Sequence, residues 1–404
     1  MSSIKTRVLA AGALALALVG VTTAPAYAAP AADGVPQRLT IAGSDTTEDV
    51  MSDLAAAWNA ANAANPDPDT AHNVPVQANA ADPAFTVPAD GTCTSPSGGR
   101  SYVNKGVADG INTFPAPNGS TDGRNALAGT GNARPGLPWP TDNPTTGCID
   151  IARSSSPPSG SDPAGFQYYA FALDAVTWAA FDGAAPDSRS LTVDQLRDIY
   201  DCDITNWNEV GGSDQQIQRY LPQNGSGTLS FFTGTVLGFN PITSQDIIDK
   251  CNAAEAPPVI QIQEHDLDGI DDEAKDAAIS PFSVAQWVAQ GNGKETDKRN
   301  GAFLGLQAGM NPVTGTDGGL APNPDVIVEP PFNSFEGVRF VYNVIDTAQA
   351  HDGQALRMVG FDNTGPGWLC DPDSAGVTDI INQQGFMRLE DAGFPNHHCR
   401  GESI

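Results

Sequence analysis

Ile217-Gln218-Arg219-Tyr220-Leu221-Pro222-Gln223-Asn224-Gly225-Ser226-Gly227-Thr228-Leu229 passes from a strand-like run through a small polar loop into a helix-like run. Ile217 to Leu221 alternates apolar and polar residues, the pattern of a half-buried strand. Beyond the loop, Leu229, Phe232, Val236 and Leu237 recur at helical spacing. Such a loop sets backbone N–H groups and two hydroxyls at a helix N-terminus, where free donors and the helix dipole favour an anion. Glycine and serine are also ordinary turn residues, so the segment takes its meaning from what surrounds it.

Two further loops share that setting. Arg38-Leu39-Thr40-Ile41-Ala42 reads as a strand leading into Gly43-Ser44-Asp45-Thr46-Thr47. A helix face of Val50, Leu54, Ala57 and Trp58 follows, and Asp45 with Glu48 has capping-box spacing. Ile149-Asp150-Ile151-Ala152 is strand-like and runs into Arg153-Ser154-Ser155-Ser156-Pro157. Tyr169 to Trp178 reads as a buried strand. Thr192 and Gln195 form a second capping-box pattern, opening a helix with Val193, Leu196, Ile199 and Tyr200 on one face. Phe340, Val341, Val344 and Ile345 fit a helix or a strand equally well. Alternating strands and helices indicate an α/β chain.

The first 28 residues read as an export signal, with Lys5 and Arg7 before the apolar run Val8–Val21 and Ala26-Tyr27-Ala28 as the cleavage pattern. No cysteine lies there to carry a lipid anchor, and no later stretch reads as a membrane helix, so the expectation is a secreted protein. Residues 29–404 suffice for two domains. The six cysteines fit disulfides in an exported chain. Sequential pairing is expected, Cys93–Cys148, Cys202–Cys251 and Cys370–Cys399, because each closes a local loop. No C-x-x-C spacing points to zinc, and no cofactor motif occurs. Residues 66–147, rich in Pro, Gly and Asn, read as an irregular insertion. The net charge of −28 disfavours nucleic acid and anionic membranes as partners. A desolvated pocket of neutral donors still suits an anion, because exposed charges are screened beyond roughly 10 Å.

The three hydroxyl-rich loops together suit a tetrahedral oxyanion, which offers many acceptor oxygens. Here the chain resembles the phosphate-binding solute-binding proteins of ABC transporters. The resemblance lies in Ala42-Gly43-Ser44-Asp45-Thr46, Ile151 to Pro157, Ile204-Thr205-Asn206-Trp207-Asn208, Asn224-Gly225-Ser226-Gly227-Thr228 and Ala278 to Ser283. It implies an α/β, two-lobed, periplasmic-binding-protein-like (type 2) fold with the ligand cleft between lobes. The implied organisation is a first lobe at 37–168, a second at 169–278, and a return with a C-terminal segment at 279–404. The implied ligand set is Ser44, Asp45 and Thr46 from loop one, Arg153, Ser154 and Ser155 from loop two, and Asn224, Gly225, Ser226, Gly227 and Thr228 from loop three. The implied partners are phosphate or a similar oxyanion and ABC permease subunits, with the protein itself a monomer.

In that family the third loop commonly reads Arg-x-Asp-Gly-Ser-Gly-Thr, and this chain has Pro222 and Asn224 at the two polar positions. Ser155 stands where loop two often carries an acid. A carboxylate accepts a proton from protonated phosphate and repels fully ionised anions, so the resemblance implies weaker discrimination against sulfate. Gly225-Ser226-Gly227 does not fit the nucleophile elbow of a serine hydrolase. None of His72, His265, His351, His397 and His398 lies in a catalytic motif. The alternatives to a solute-binding protein are a structural or adhesive surface or secreted protein that keeps the fold with a degenerate pocket and, ranked below it, a secreted hydrolase.

Overall fold

The computed structural model describes residues 38–65, 70–76, 84–86, 92–94, 101–103, 113–134, 137–139, 148–328, 335–347, 352–362, 365–389 and 399–403. The expected signal segment 1–28, the Cys93 side chain of the Cys93–Cys148 pair, and His397-His398 lie outside the described residues.

Eight strands form the path of one continuous sheet: β1 (Arg38–Gly43), β2 (Thr70–Asn73), β3 (Ile151–Ser154), β4 (Phe166–Ala180), β5 (Gln218–Pro222), β6 (Ile260–Ile262), β7 (Ala278–Ser283) and β8 (Val338–Asp346). Their order is β6-β5-β7-β4-β8-β3-β1-β2, with three short strands pairing β4 off this path. The hinge of the architecture is β4. Its residues Phe166–Ala175 pair antiparallel with β8, and Val176–Ala180 pair antiparallel with β7. One fifteen-residue strand therefore pairs with both halves of the sheet. Strands β8, β3, β1 and β2 lie on one side of β4 in the sheet order, the half expected for the first lobe, and β7, β5 and β6 lie on the other, the half expected for the second. The partner of β4 changes between Ala175 and Val176, and the chain returns to the first half at β8.

The central strands of this sheet are buried on both faces and so read as nearly unbroken apolar runs. Leu39, Thr40, Ile41 and Ala42 of β1 are all fully buried. Helix α1 (Glu48–Asn62) lays Val50, Met51, Leu54, Ala55 and Trp58 on the first-lobe core. Trp178, Leu196, Tyr200, Trp207, Phe232 and Ile279 make the second. Trp207 of the Ile-Thr-Asn-Trp-Asn segment is a core residue, its ring 6.3 Å from that of Trp178.

Local signals behave unequally. Helix α3 (Val193–Tyr200) starts at Thr192 with a full capping box, Gln195 N–H donating to Thr192 Oγ1 at 3.1 Å and Thr192 N–H to Gln195 Oε1 at 2.9 Å. The Asp45–Glu48 box does not form. Asp45–Thr47 makes a 3₁₀ turn, and Glu48 Oε2 accepts the Val76 N–H at 2.8 Å. The ambiguous segment near Phe340 is a strand, since β8 lies between β4 and β3. Cys202–Cys251 and Cys370–Cys399 are bonded as expected. Residues 66–147 are not simply an insertion. β2 extends the main sheet, and helix α2 (Ser120–Ala128) packs on β3 and β1. Among the described residues no helix is long and apolar enough to cross a membrane.

Candidate functional site

The three loops converge at the junction of the lobes. Ser44 Oγ donates to Ser155 Oγ at 2.9 Å, and Thr46 Oγ1 lies 3.2 Å from Ser155 Oγ and 3.4 Å from Thr228 Oγ1. Ser226 caps the helix α4 (Gly227–Phe231), accepting the Leu229 N–H at 3.0 Å while its hydroxyl donates to Glu264 Oε2. Ser44, Thr46, Ser155, Ser226 and Thr228 are all fully buried. Gly227 is glycine for want of space, because a Cβ there would sit 2.2 Å from Ser155 Oγ and 2.3 Å from Ser120 Oγ.

Arg339 of β8 supplies the positive charge at this centre. Its Nη2 donates to Thr228 Oγ1 at 3.0 Å and Thr46 Oγ1 at 3.4 Å, and Nη1 donates to the Ser155 carbonyl at 3.1 Å. Asp174 balances it, accepting from Nε at 3.0 Å and Nη2 at 2.7 Å. The Ser283 hydroxyl and Ala285 N–H hold Asp174 in turn. A buried ion pair needs such extra partners to offset desolvation.

Several expected site residues stand elsewhere. Arg153 is fully buried, but its guanidinium donates to the carbonyls of Ser44, Val74 and Gly43 and to Asn73 Oδ1. It braces the backbone of loop one and does not face the hydroxyl cluster. Ser154 Oγ accepts from Arg124 and donates to the Ser156 carbonyl. Asn224 is exposed, and its Oδ1 accepts from Gln261. Gly225 links the lobes through its carbonyl, which accepts the Thr121 N–H of α2 at 3.1 Å. Asp45 lies one layer out, bound to Gln263 Nε2 at 2.7 Å.

Four residues absent from the expected set complete the centre: Ser120, Glu264, His265 and Arg339. Ser120 Oγ accepts the Ser155 N–H at 2.9 Å. Its signal was Gly119-Ser120 ahead of a helix, hidden within a segment read as irregular. Arg339 is a lone cation beside the apolar run Phe340-Val341, where a buried charge implies a partner. Glu264 and His265 carry no periodic or spacing signal at all.

Electrostatics here are layered. Burial alone would raise the Glu264 carboxyl, but the hydrogen bond and charge of His265, Arg339 and Thr46 outweigh it and hold the group below its ordinary value. Next to the centre lies a cleft of 720 Å³ whose walls include Asp45, Glu48, Asp49, Asp266 and Glu295, together with Glu264 and His265. Burial, then the field of Glu264 and Glu48, pushes the Asp45 carboxyl up. Burial and the neighbouring Asp49 push Glu295 to about 9. Glu295 thus holds a proton at neutral pH, which softens the acidic rim.

His265 Nε2 is 3.2 Å from Thr46 Oγ1, a hydroxyl–imidazole pair. Its Nδ1 faces the Ser283 amide at 3.5 Å, not a carboxylate. Glu264 Oε1 lies 3.5 Å from Nε2, so acid and hydroxyl meet the same ring nitrogen and do not flank the ring as in a catalytic triad. Elsewhere, Asp198, Asp201 and Asp203 lie close enough to share a cation, though Lys250 Nζ already bridges Asp201 and Asp203 at 3.0 and 2.7 Å.

Residues 24–320 match the PBP superfamily domain. The chain belongs to the PBP superfamily. Among solved structures it is similar to a protein from Clostridium perfringens assigned as a phosphate ABC transporter substrate-binding protein and solved with bound phosphate. That pair is 16% identical with a TM-score of 0.50, covering 87% of this chain and 99% of the other. An ABC-type phosphate transport receptor from Vibrio cholerae is 17% identical with a TM-score of 0.47, covering 86% and 99%. At such identities the likeness concerns the fold: this PBP-superfamily chain has the two-lobed α/β architecture.

Proposed function

We propose that this PBP-superfamily protein is an exported solute-binding protein that captures phosphate or a related tetrahedral oxyanion and delivers it to an ABC permease. The observation that carries the reading is the convergence of the Thr46, Thr228 and Ser155 hydroxyls beside the buried Arg339 guanidinium, with the Ser226 hydroxyl meeting the same Glu264 carboxylate as Thr46. Neutral donors around one fixed cation match a ligand with several acceptor oxygens, and their burial strengthens each bond. No bond-making step is part of this reading; the protein binds and releases. Asp45, Ser44 and Ser120 support the donors rather than standing foremost among them.

Isothermal titration of ligand-stripped protein with phosphate, sulfate and molybdate tests the reading. Heat of binding is expected for at least one of the three, and its absence for all would end the proposal. The double variant Ser226→Ala with Thr228→Val removes two donors, each charge-assisted bond being worth about 1.5–3 kcal/mol. It should weaken binding at least a hundredfold. Wild-type affinity in that variant would move the site elsewhere.

A further inference from the structure

The carboxylate of Glu264 stands where the loops aim their donors. Its Oε1 accepts the Thr46 N–H at 3.2 Å and the Thr46 hydroxyl at 2.9 Å, and its Oε2 accepts the Ser226 hydroxyl. A carboxylate presents the same kind of acceptor oxygens as a tetrahedral oxyanion, and the same donors cannot serve both. Nor can the two anions share the centre comfortably. The single Arg339 charge is already shared between Asp174 at 2.7 Å and Glu264, so a third anion beside Glu264 would face net repulsion.

Access leads to the same residue. The 720 Å³ cleft reaches Glu264 and His265, whereas Ser155, Ser226, Thr228 and Arg339 do not line it. The segment Gln263–Asp266 therefore separates the cleft from the inner donors. Its polar anchors are exchangeable: Gln263 Nε2 donates to Asp45 and Asn118, Glu264 N–H to Gln223 Oε1, and Lys298 pairs with Asp266, while the His265 ring meets Phe282 edge-on at 5.3 Å. His265 at its middle has φ +60°, a left-handed conformation that costs a non-glycine residue energy and persists only under tertiary constraint.

We propose that Gln263–Asp266 is a built-in plug whose Glu264 carboxylate occupies the oxyanion subsite, so that a ligand binds by displacing it. This rests on the oxyanion reading above. A tethered competitor lowers apparent affinity without any change in the donors themselves. It also gives the second lobe a means of release, since returning the carboxylate expels the anion.

The test is titration of the full chain and of Glu264→Gln and Glu264→Ala with inorganic phosphate and with sulfate, each variant first checked for native circular dichroism. Glu264→Ala is expected to tighten both anions about tenfold or more, and Glu264→Gln less, because its amide oxygen still engages Thr46. Hydrogen exchange should show the Thr46 amide deprotected in Glu264→Ala without ligand, and residues 263–266 exchanging faster in wild type saturated with phosphate. If wild type binds phosphate and neither variant binds it tighter, the plug is refuted while the oxyanion reading stands. Phosphate weakened and sulfate strengthened would refute it too, making Glu264 a proton acceptor for the bound ligand. If wild type and both variants bind neither anion, the oxyanion reading itself is what fails.

Discussion

Arg339 and Asn224 show how a residue's place in the chain can mislead about its place in space. Arg339 comes from a strand far from every loop of interest, yet its guanidinium touches Thr46, Ser155 and Thr228. Asn224 sits inside the Asn-Gly-Ser-Gly-Thr loop but points outward to Gln261. Lysine at 339 would keep the charge and lose the planar fork that reaches several acceptors at once. Arg339→Lys should therefore weaken phosphate binding by ten- to a hundredfold, about 1.4–2.7 kcal/mol. Asn224→Asp in the same titrations should leave both affinity and the phosphate-to-sulfate ratio within about twofold. A marked gain in selectivity in Asn224→Asp would show that position 224 reaches the ligand after all. Arg153, the basic residue expected in the site, holds loop one in place through backbone carbonyls.

Among the elements, the contact between α2 and the third loop joins the lobes directly. Gly119, immediately before α2, has φ +130°, and a Cβ there would lie 2.3 Å from the Gly225 carbonyl oxygen. Alanine meets both a steric block and an unfavourable backbone conformation. Gly119→Ala should lower stability by about 1–3 kcal/mol and hold the lobes apart. Small-angle scattering should report a larger radius of gyration, and phosphate affinity should fall at least tenfold. An unchanged radius together with unchanged affinity would mean that this contact does not govern closure. The strand elements were legible because burial on both faces leaves an apolar run, as in Leu39 to Ala42. α2 was not legible, since its few apolar residues, Ala126, Leu127 and Ala128, are consecutive and trace no helical stripe in a Gly- and Asn-rich stretch. The Asp45–Glu48 box failed for a related reason. Val76 offered Glu48 a tertiary donor, and that bond replaced the local one.

For the whole molecule, pH acts through carboxyls the fold buries. Glu295 is pushed up to about 9 from an ordinary value of 4.5, and Asp45 is raised as well. Across that interval the folded chain keeps protons that the unfolded chain has released, so raising the pH favours unfolding. This stability is fully present below about pH 4.5 and is lost as pH rises through about 9. Urea denaturation at about pH 5, 7 and 9 should show a decline that Glu295→Gln makes shallower. An identical pH slope in that variant would assign the effect to other groups. The net charge of −28 adds self-repulsion in the same direction.

Periodicity and turn chemistry were enough to determine an α/β chain and to single out three hydroxyl-rich loops, Ser44 to Thr47, Ser154 to Ser156 and Ser226 to Thr228, because strand ends and helix starts are written in neighbouring residues. Resemblance in those same stretches implied the two lobes. Only the tertiary structure decided that β4 pairs with both halves of the sheet, that the cation of the centre is Arg339, and that Glu264 sits among the donors. Those facts depend on residues more than a hundred positions apart: Arg339 on Thr228 and Asp174, and Glu264 on Thr46. A buried charge is placed by whichever partner the folded chain brings within reach, and short-range spacing carries no record of that meeting.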